Sequence, residues 1–264
     1  PMASANFPIT TYSWLGLWTL YLRESRRFIN VGMQTILAPV ITTLIFLTVF
    51  AVALGRAERI VAGVPYLEFL APGLIVMAIL QNSFANTSSS LMTAKMQGSI
   101  VDTLMPPLTS LQLTIGYSFS GATRGLIVAC MVTTAMSVFV DFTLHSLPFV
   151  LFHAINAALM LSMLGMISGI WADKHEYNSA VTNFVIMPLS FLSGSFYSIE
   201  RLPESFQTFA HLNPFFYLID GFRYGFIGRS DSSLEMGIAA ITGINIVLAI
   251  VCYRMFDTGY KLKP

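Results

Sequence analysis

The sequence predicts an all-α integral membrane protein: six transmembrane helices, an N-terminal interfacial helix, a short cytoplasmic helix after the second span, and a re-entrant outer hairpin before the last. Three observations predict this class. Of 264 residues, 55% are hydrophobic and only 10% charged, whereas a water-facing domain carries roughly 25% charged residues. Mean hydropathy is +0.70, which suits a chain whose solvent is lipid. The charges gather between apolar runs, each close to the roughly 20 residues that a helix needs to cross a bilayer.

The elements follow in order. Within the stretch 8–27, Trp14, Leu17, Trp18, Tyr21 and Leu22 recur at helical spacing opposite Thr19, Arg23, Arg26 and Arg27, with Leu15 and Leu20 blurring the pattern. This predicts a helix lying in the membrane interface, tryptophans at headgroup depth and arginines toward anionic lipid. The arginines follow the apolar stretch 14–22, the reverse of a secretory signal's order. Spans are expected at about 30–55, 68–92, 110–139, 147–171, 177–198 and 236–255, in one transmembrane domain covering 1–264. Between the last two, about 203–229 is crowded with aromatics and broken by Pro203 and Asn213-Pro214. Its two pieces are too short to span, so a hairpin of half-helices in the outer leaflet is expected, tolerated only where protein buries it or water reaches it. Cys130 and Cys252 sit in apolar runs and are expected to be free thiols.

Lysine and arginine set the orientation. With a cytoplasmic N-terminus, the inner loops hold Arg23, Arg26, Arg27, Lys95, Lys174, Arg254, Lys261 and Lys263. The outer loops hold Arg56, Arg59, Arg201, Arg223 and Arg229. The inner excess predicts a multi-pass membrane protein with both termini in the cytoplasm.

No enzyme constellation is present. The chain lacks the G-x-x-x-x-G-K-[ST] phosphate loop, a G-x-S-x-G elbow, an H-E-x-x-H helix and Cys/His zinc spacing. No cofactor or metal is therefore expected on this chain. A net charge of +1 gives no footprint for nucleic acid. Arg124 is the one cation inside a span, with Gly121 and Gly125 beside it at small-xxx-small spacing. An arginine there costs at least a few kcal/mol unless it faces protein or water. It therefore either pairs at a helix interface or lines a polar path. Polar side chains from Gln81 to Ser90, Asn86 among them, and a second set including Thr182 and Asn183, divide between helix packing and such a path.

The loop Lys95-Met96-Gln97-Gly98-Ser99-Ile100-Val101-Asp102-Thr103-Leu104-Met105-Pro106-Pro107 predicts a short helix with Ile100, Val101, Leu104 and Met105 on one apolar face, stopped by the prolines. It reads either as a docking element or as an interfacial turn.

Three stretches in this order resemble the permease subunit of type-2 ABC exporters over nearly the whole chain: Tyr66-Leu67-Glu68-Phe69-Leu70-Ala71-Pro72-Gly73; Gly98 to Thr109; and Leu202-Pro203-Glu204-Ser205-Phe206 with His211 to Gly225. The resemblance implies two permease copies and two separate ABC ATPase subunits, which bind ATP and Mg. The helix at about 95–105 would be the coupling helix, seated in an ATPase cleft through Lys95, Gln97, Gly98, Ser99, Ile100, Val101, Asp102, Leu104 and Pro106. Gly98-Ser99 stands where the family often has an acidic residue or threonine. Substrate-path candidates are Arg124, Asn86, Asn183, Phe215, Tyr217 and Arg223, and the family's cargoes include drugs, lipids and polysaccharides. Two other readings compete. An ion-coupled secondary transporter of an amphipathic small molecule would place acids within its spans, but Asp141 and Asp173 sit at span ends. A lipid-modifying enzyme would have to use Glu200, Glu204, His211 and Asp220.

Overall fold

A computed structural model describes residues 14–54, 60–61, 63–105, 108–199 and 203–262. Residues 8–13 of the interfacial stretch, Arg56, Arg59, Pro106, Pro107, Glu200, Arg201, Leu202 and Lys263 lie outside them, as do the side chains of Glu204 and Ser205. The fold is helical: α1 (Trp14–Asn30), a π-helical turn (Met33–Leu37) running into α2 (Ala38–Leu54), α3 (Tyr66–Met96), α4 (Ile100–Leu104), α5 (Ser110–Met136) and α6 (Leu147–Trp171). Then come α7 (His175–Val181), a second π-helical turn (Thr182–Ile186), α8 (Met187–Phe191), α9 (Glu204–Leu212), α10 (Pro214–Ile227) and α11 (Leu234–Thr258). The exception to all-α is a two-residue hairpin, β1 (Ile60–Val61) with β2 (Val64–Pro65), turned by Gly63 at φ +81°.

Among the described residues, five helices are long and apolar enough to cross a membrane: Met33–Ala53, α3, α5, α6 and α11. The run expected as a fifth span at about 177–198 is helical from His175 to Phe191 and then turns through 192–199, so it is shorter than the sequence suggests and interrupted by the π-helical turn. A serine-rich segment explains its end. Ser190 donates to the Ile186 carbonyl at 2.7 Å, Ser195 donates to the Ser190 carbonyl at 3.1 Å, and Gly194 adopts φ +74°. Hydroxyls that bond nearby carbonyls compete with helix continuation.

The long helix α3 is the axis of the molecule, and α5, α6 and α10 pack on it. Small residues set these approaches. On α5, Gly121 meets Ser162 and Thr87, and Gly125 meets Ser83 and the Ile79 carbonyl. On α6, Gly165 and Gly169 lie against the backbones of Phe84 and Ser88. With lipid outside, close packing of this kind, rather than hydrophobic exclusion, holds helices together. Gly125→Val is accordingly expected to force α5 from α3, costing at least about 1–3 kcal/mol by overpacking. A melting curve in detergent superimposable on the parent's would refute that.

In α1, expected as an interfacial helix, Trp14, Trp18 and Arg26 are exposed. Leu20, which blurred the sequence pattern, is the anchor: it is buried and sits with Leu17 over Gly116 of α5. Arg23 and Arg27 face protein rather than lipid. Arg23 donates to Thr103 of α4 at 3.1 Å and to the Tyr117 hydroxyl at 3.3 Å. Arg27 donates to the Asn86 carbonyl at 2.6 Å and to its side-chain oxygen at 3.1 Å. Between them lies buried Glu24, 3.1 Å from Arg23, 3.4 Å from Arg27 and accepting from Ser90 at 2.5 Å.

Beyond the spans, α9 and α10 differ in burial. Phe206, Phe209 and Leu212 of α9 are exposed, while nearly all of α10 is buried against α3, α6 and α11. Asn213 makes the break. Its side-chain oxygen caps α10 by accepting from the Phe215 amide at 3.0 Å, and its amide donates to the Leu189 carbonyl at 2.7 Å. Both cysteines are free.

Candidate functional site

The two regions singled out by sequence, the polar spans and the short helix after α3, lie in different parts of the molecule. Network residues of α1 connect them.

The first is a cavity of about 620 Å³ between α2, α3, α5 and the Thr182–Met187 segment. Arg124 and Arg27 both line it, with Gln34, Gln81, Asn82 and Thr182 as neutral polar groups. Phe46, Leu74, Met77, Ile186, Met187 and Phe196 make its apolar wall. The polar set on α3 thus divides by helical face. Gln81, Asn82 and Ser89 reach the cavity, whereas Thr87 donates into α6 at the Ser162 carbonyl (2.7 Å) and Ser90 into α1 at Glu24. Arg124 lines the cavity and donates to Asn82 Oδ1 at 3.3 Å, and the glycines beside it pack against α3 and α6.

The other path candidates are dispersed. Asn86 is buried beside the cavity, donating to Ser120 at 3.2 Å and accepting from Arg27. Asn183 is exposed on the outward side of its π-helical turn. Phe215 lines a separate, almost wholly apolar cavity of about 470 Å³ between α6, α8 and α11. Tyr217 packs on Gly237. Arg223 is a buried clamp: it donates to the carbonyls of Phe69 (3.2 Å), Gly194 (2.8 Å) and Ser195 (3.4 Å), and stacks 3.9 Å over the Phe69 ring. None of these last four reaches the Arg124 cavity. Sequence spacing revealed their polarity but not the bonds that occupy them.

The second region is α4. Gly98, at φ +72°, ends α3 and turns the chain. Ile100 and Leu104, four residues apart, face the bundle, Ile100 buried at 5% exposure. Val101 and Met105 point outward at 45% and 76%, beside exposed Gln97, Gly98 and Asp102. The single apolar face expected from sequence is therefore two faces, because a 100° step separates Ile100 from Val101. Ser99 is half-buried and donates to the Ala94 carbonyl at 3.5 Å. Lys95 is committed inward. Its ammonium donates to the Ile170 and Ala172 carbonyls at 2.6 and 2.9 Å and lies 3.6 Å from Asp173, capping the C-terminus of α6. Lys261 completes that group at 2.7 Å from Asp173, and its ammonium holds the Asp173 carboxyl below its ordinary range.

Glu24 was missed by sequence reading. Lying one residue from Arg23 and three from Arg27, it was legible as a local ion pair, but its burial against Ser90 was not. The described residues hold no cluster of three or more His, Cys, Asp or Glu able to take a metal.

Comparison with known proteins agrees with this architecture. The family model described as ABC-2 type transporter matches residues 16–227. The chain is 34% identical over 250 residues to the inner membrane transport permease YadH of Escherichia coli K12, covering 95% of this chain and 98% of that one. It is also 27% identical to nodulation protein J of Rhizobium leguminosarum bv. viciae (91% and 93% covered) and 24% identical to that of Sinorhizobium fredii (90% of each).

Proposed function

Because the chain belongs to the ABC-2 type transporter family, we propose that it is the export permease of an ATP-binding-cassette system in a bacterial inner membrane. In this reading two copies pair and two separate ATPase subunits, which bind ATP and Mg, dock on the side that carries α1 and α4. Both termini are cytoplasmic, the helix from His175 to Phe191 is the sixth crossing, and α9 with α10 is the re-entrant outer hairpin. A helical run of 17 residues is at the short end of what spans a bilayer. Arg23, Arg26, Arg27, Lys95, Lys174, Arg254 and Lys261 then belong to the cytoplasmic segments, the excess of cations that supports this orientation.

The observation that carries the reading is the two-faced α4. One face, Ile100 and Leu104, fixes it to the bundle; the other leaves Val101 and Met105 exposed beside Asp102, a mixed apolar and acidic surface available to a partner. Arg23 bonds α4 to α1, and Arg27 of that helix lines the cavity. Movement of a docked ATPase would thus reach the cavity through rigid, bonded elements. The cargo path runs through the Arg124 cavity, opposite a second copy.

Val101→Asp tests this. Co-purification with the ATP-binding-cassette subunit is expected to fall at least tenfold with no change in the permease's melting temperature, since Val101 supports no internal packing. Ile100→Asp is expected to lower that temperature as well. Undiminished ATPase capture and ATP-driven transport by Val101→Asp would refute α4 as the docking element.

A further inference from the structure

We propose that the Arg124 cavity binds an anionic amphiphile, with its phosphate or carboxylate between the Arg124 and Arg27 guanidiniums and its apolar part along Phe46, Leu74, Met77 and Met187. The site stands on geometry; calling its ligand cargo rests on the permease reading.

The charge balance of the cavity points to an anion. Two guanidiniums line it, and among the described residues it has no Asp or Glu in its wall. Glu24 offsets Arg27 from the far side of α1, already shared with Arg23. Arg124 has no carboxylate. Of the five N–H donors of a guanidinium, one reaches the neutral Asn82 oxygen at 3.3 Å, and Nε is buried without a hydrogen-bond partner. A cation at that depth costs several kcal/mol when uncompensated.

Glu68 and Glu235 are in the first turns of α3 and α11, Asp257 is in the last turn of α11, and Asp220 is saturated by the 230–232 loop, so none of these acids lines the cavity. An anion seated there supplies the charge that the described wall lacks.

Shape argues for an amphiphile over a small ion. At about 620 Å³ the cavity far exceeds a phosphate and falls in the range of sites for drug-sized molecules. One side is polar and cationic, the other apolar, with Phe46, Leu74, Met77, Ile186 and Met187 along it. An acyl or prenyl chain would lie on that apolar wall while its headgroup meets the arginines.

The test uses the full chain in dodecyl maltoside, a neutral amphiphile, with binding followed by calorimetric titration and melting temperature. Dodecyl phosphate is expected to bind saturably and raise the melting temperature. Inorganic phosphate is expected to bind at least tenfold more weakly, and dodecyltrimethylammonium not at all. Arg124→Gln should weaken dodecyl phosphate at least tenfold, and Arg124→Lys less. Asn82→Asp sets a carboxylate at the position now 3.3 Å from the guanidinium; it should abolish binding while the unliganded protein melts no lower, so the test survives a misfolded Arg124→Gln. Unchanged affinity in Asn82→Asp, or equal binding of the cationic amphiphile, overturns the inference. Equal affinity for inorganic phosphate overturns the amphiphile in favour of a free anion. Loss of ATPase capture with these binding results intact would strike the permease reading alone; intact ATPase-driven export with no discrimination among probes would strike only this site.

Discussion

Glu24→Ala is expected to uncouple the permease: ATP-driven transport falls at least tenfold while ATP hydrolysis by the docked subunit continues. Glu24 is 3% exposed and joins Arg23, Arg27 and Ser90. Arg23 in turn holds Thr103 of α4, and Arg27 holds Asn86 and lines the cavity. Removing the carboxylate leaves two neighbouring guanidiniums on one helix face with nothing between them. Breaking a fully buried pair costs about 3–5 kcal/mol. Here the arginine side chains keep 49% and 39% exposure, and solvent screening reduces the loss to about 2 kcal/mol. In a chain of this size that is a fall of roughly 5 °C in melting temperature. Glu24→Gln keeps the acceptor for Ser90 but not the charge, and should sit between the two. Full coupling in Glu24→Ala reconstituted with its ATPase would break the proposed link from α4 to the cavity.

The largest structural effect is expected at Asp220→Ala. This carboxylate, 2% exposed on α10, accepts from the Ser230 hydroxyl (2.6 Å), the Asp231 and Ser232 amides (2.8 and 3.1 Å) and the Ser232 hydroxyl (2.6 Å). The loop so held presents Asp231 to the Ser198 hydroxyl and the Ile199 amide at 2.9 and 3.2 Å. One side chain thereby ties the start of α11 to α10 and, through Asp231, to the end of the His175–Phe191 run. Hydrogen bonds to a charged group contribute about 1.5–3 kcal/mol each, and an orphaned buried donor costs about 1–3 kcal/mol. The expected loss of at least about 4 kcal/mol is a large share of the stability of any single domain. Monodisperse protein extracted from membranes should drop several-fold, with Asp220→Asn retaining part of it. Parental yield and melting temperature for Asp220→Ala would show that the outer segment is held otherwise.

Much of this was legible in the sequence where it depended on local composition. Near-absence of charge inside long apolar runs predicted the membrane class, and five of the expected spans coincide with helices long and apolar enough to cross a membrane, because in hydrocarbon a backbone must satisfy its own polar groups. Gly121 and Gly125 announced close helix contact, and Asn213-Pro214 announced the break before α10. The proline and glycine after α3 marked a turn and a short helix. Less legible were the partners of polar side chains. Arg223, expected on the substrate path, and Lys95, expected in the coupling segment, donate to backbone carbonyls at 69, 194, 195, 170 and 172, and carbonyls carry no sequence signal.

The sequence by itself determined the solvent of this protein, the approximate number of its apolar helices, and the family to which it belongs, since these follow from composition and from the order of a few proline-centred stretches. Only the tertiary structure decided which of the polar residues on those helices face a cavity and which are consumed in holding helices together. That choice depends on helix rotation: 100° per residue separates Asn82 in the wall from Ser83 against Gly125, and only contact between helices distant in the chain fixes the angle.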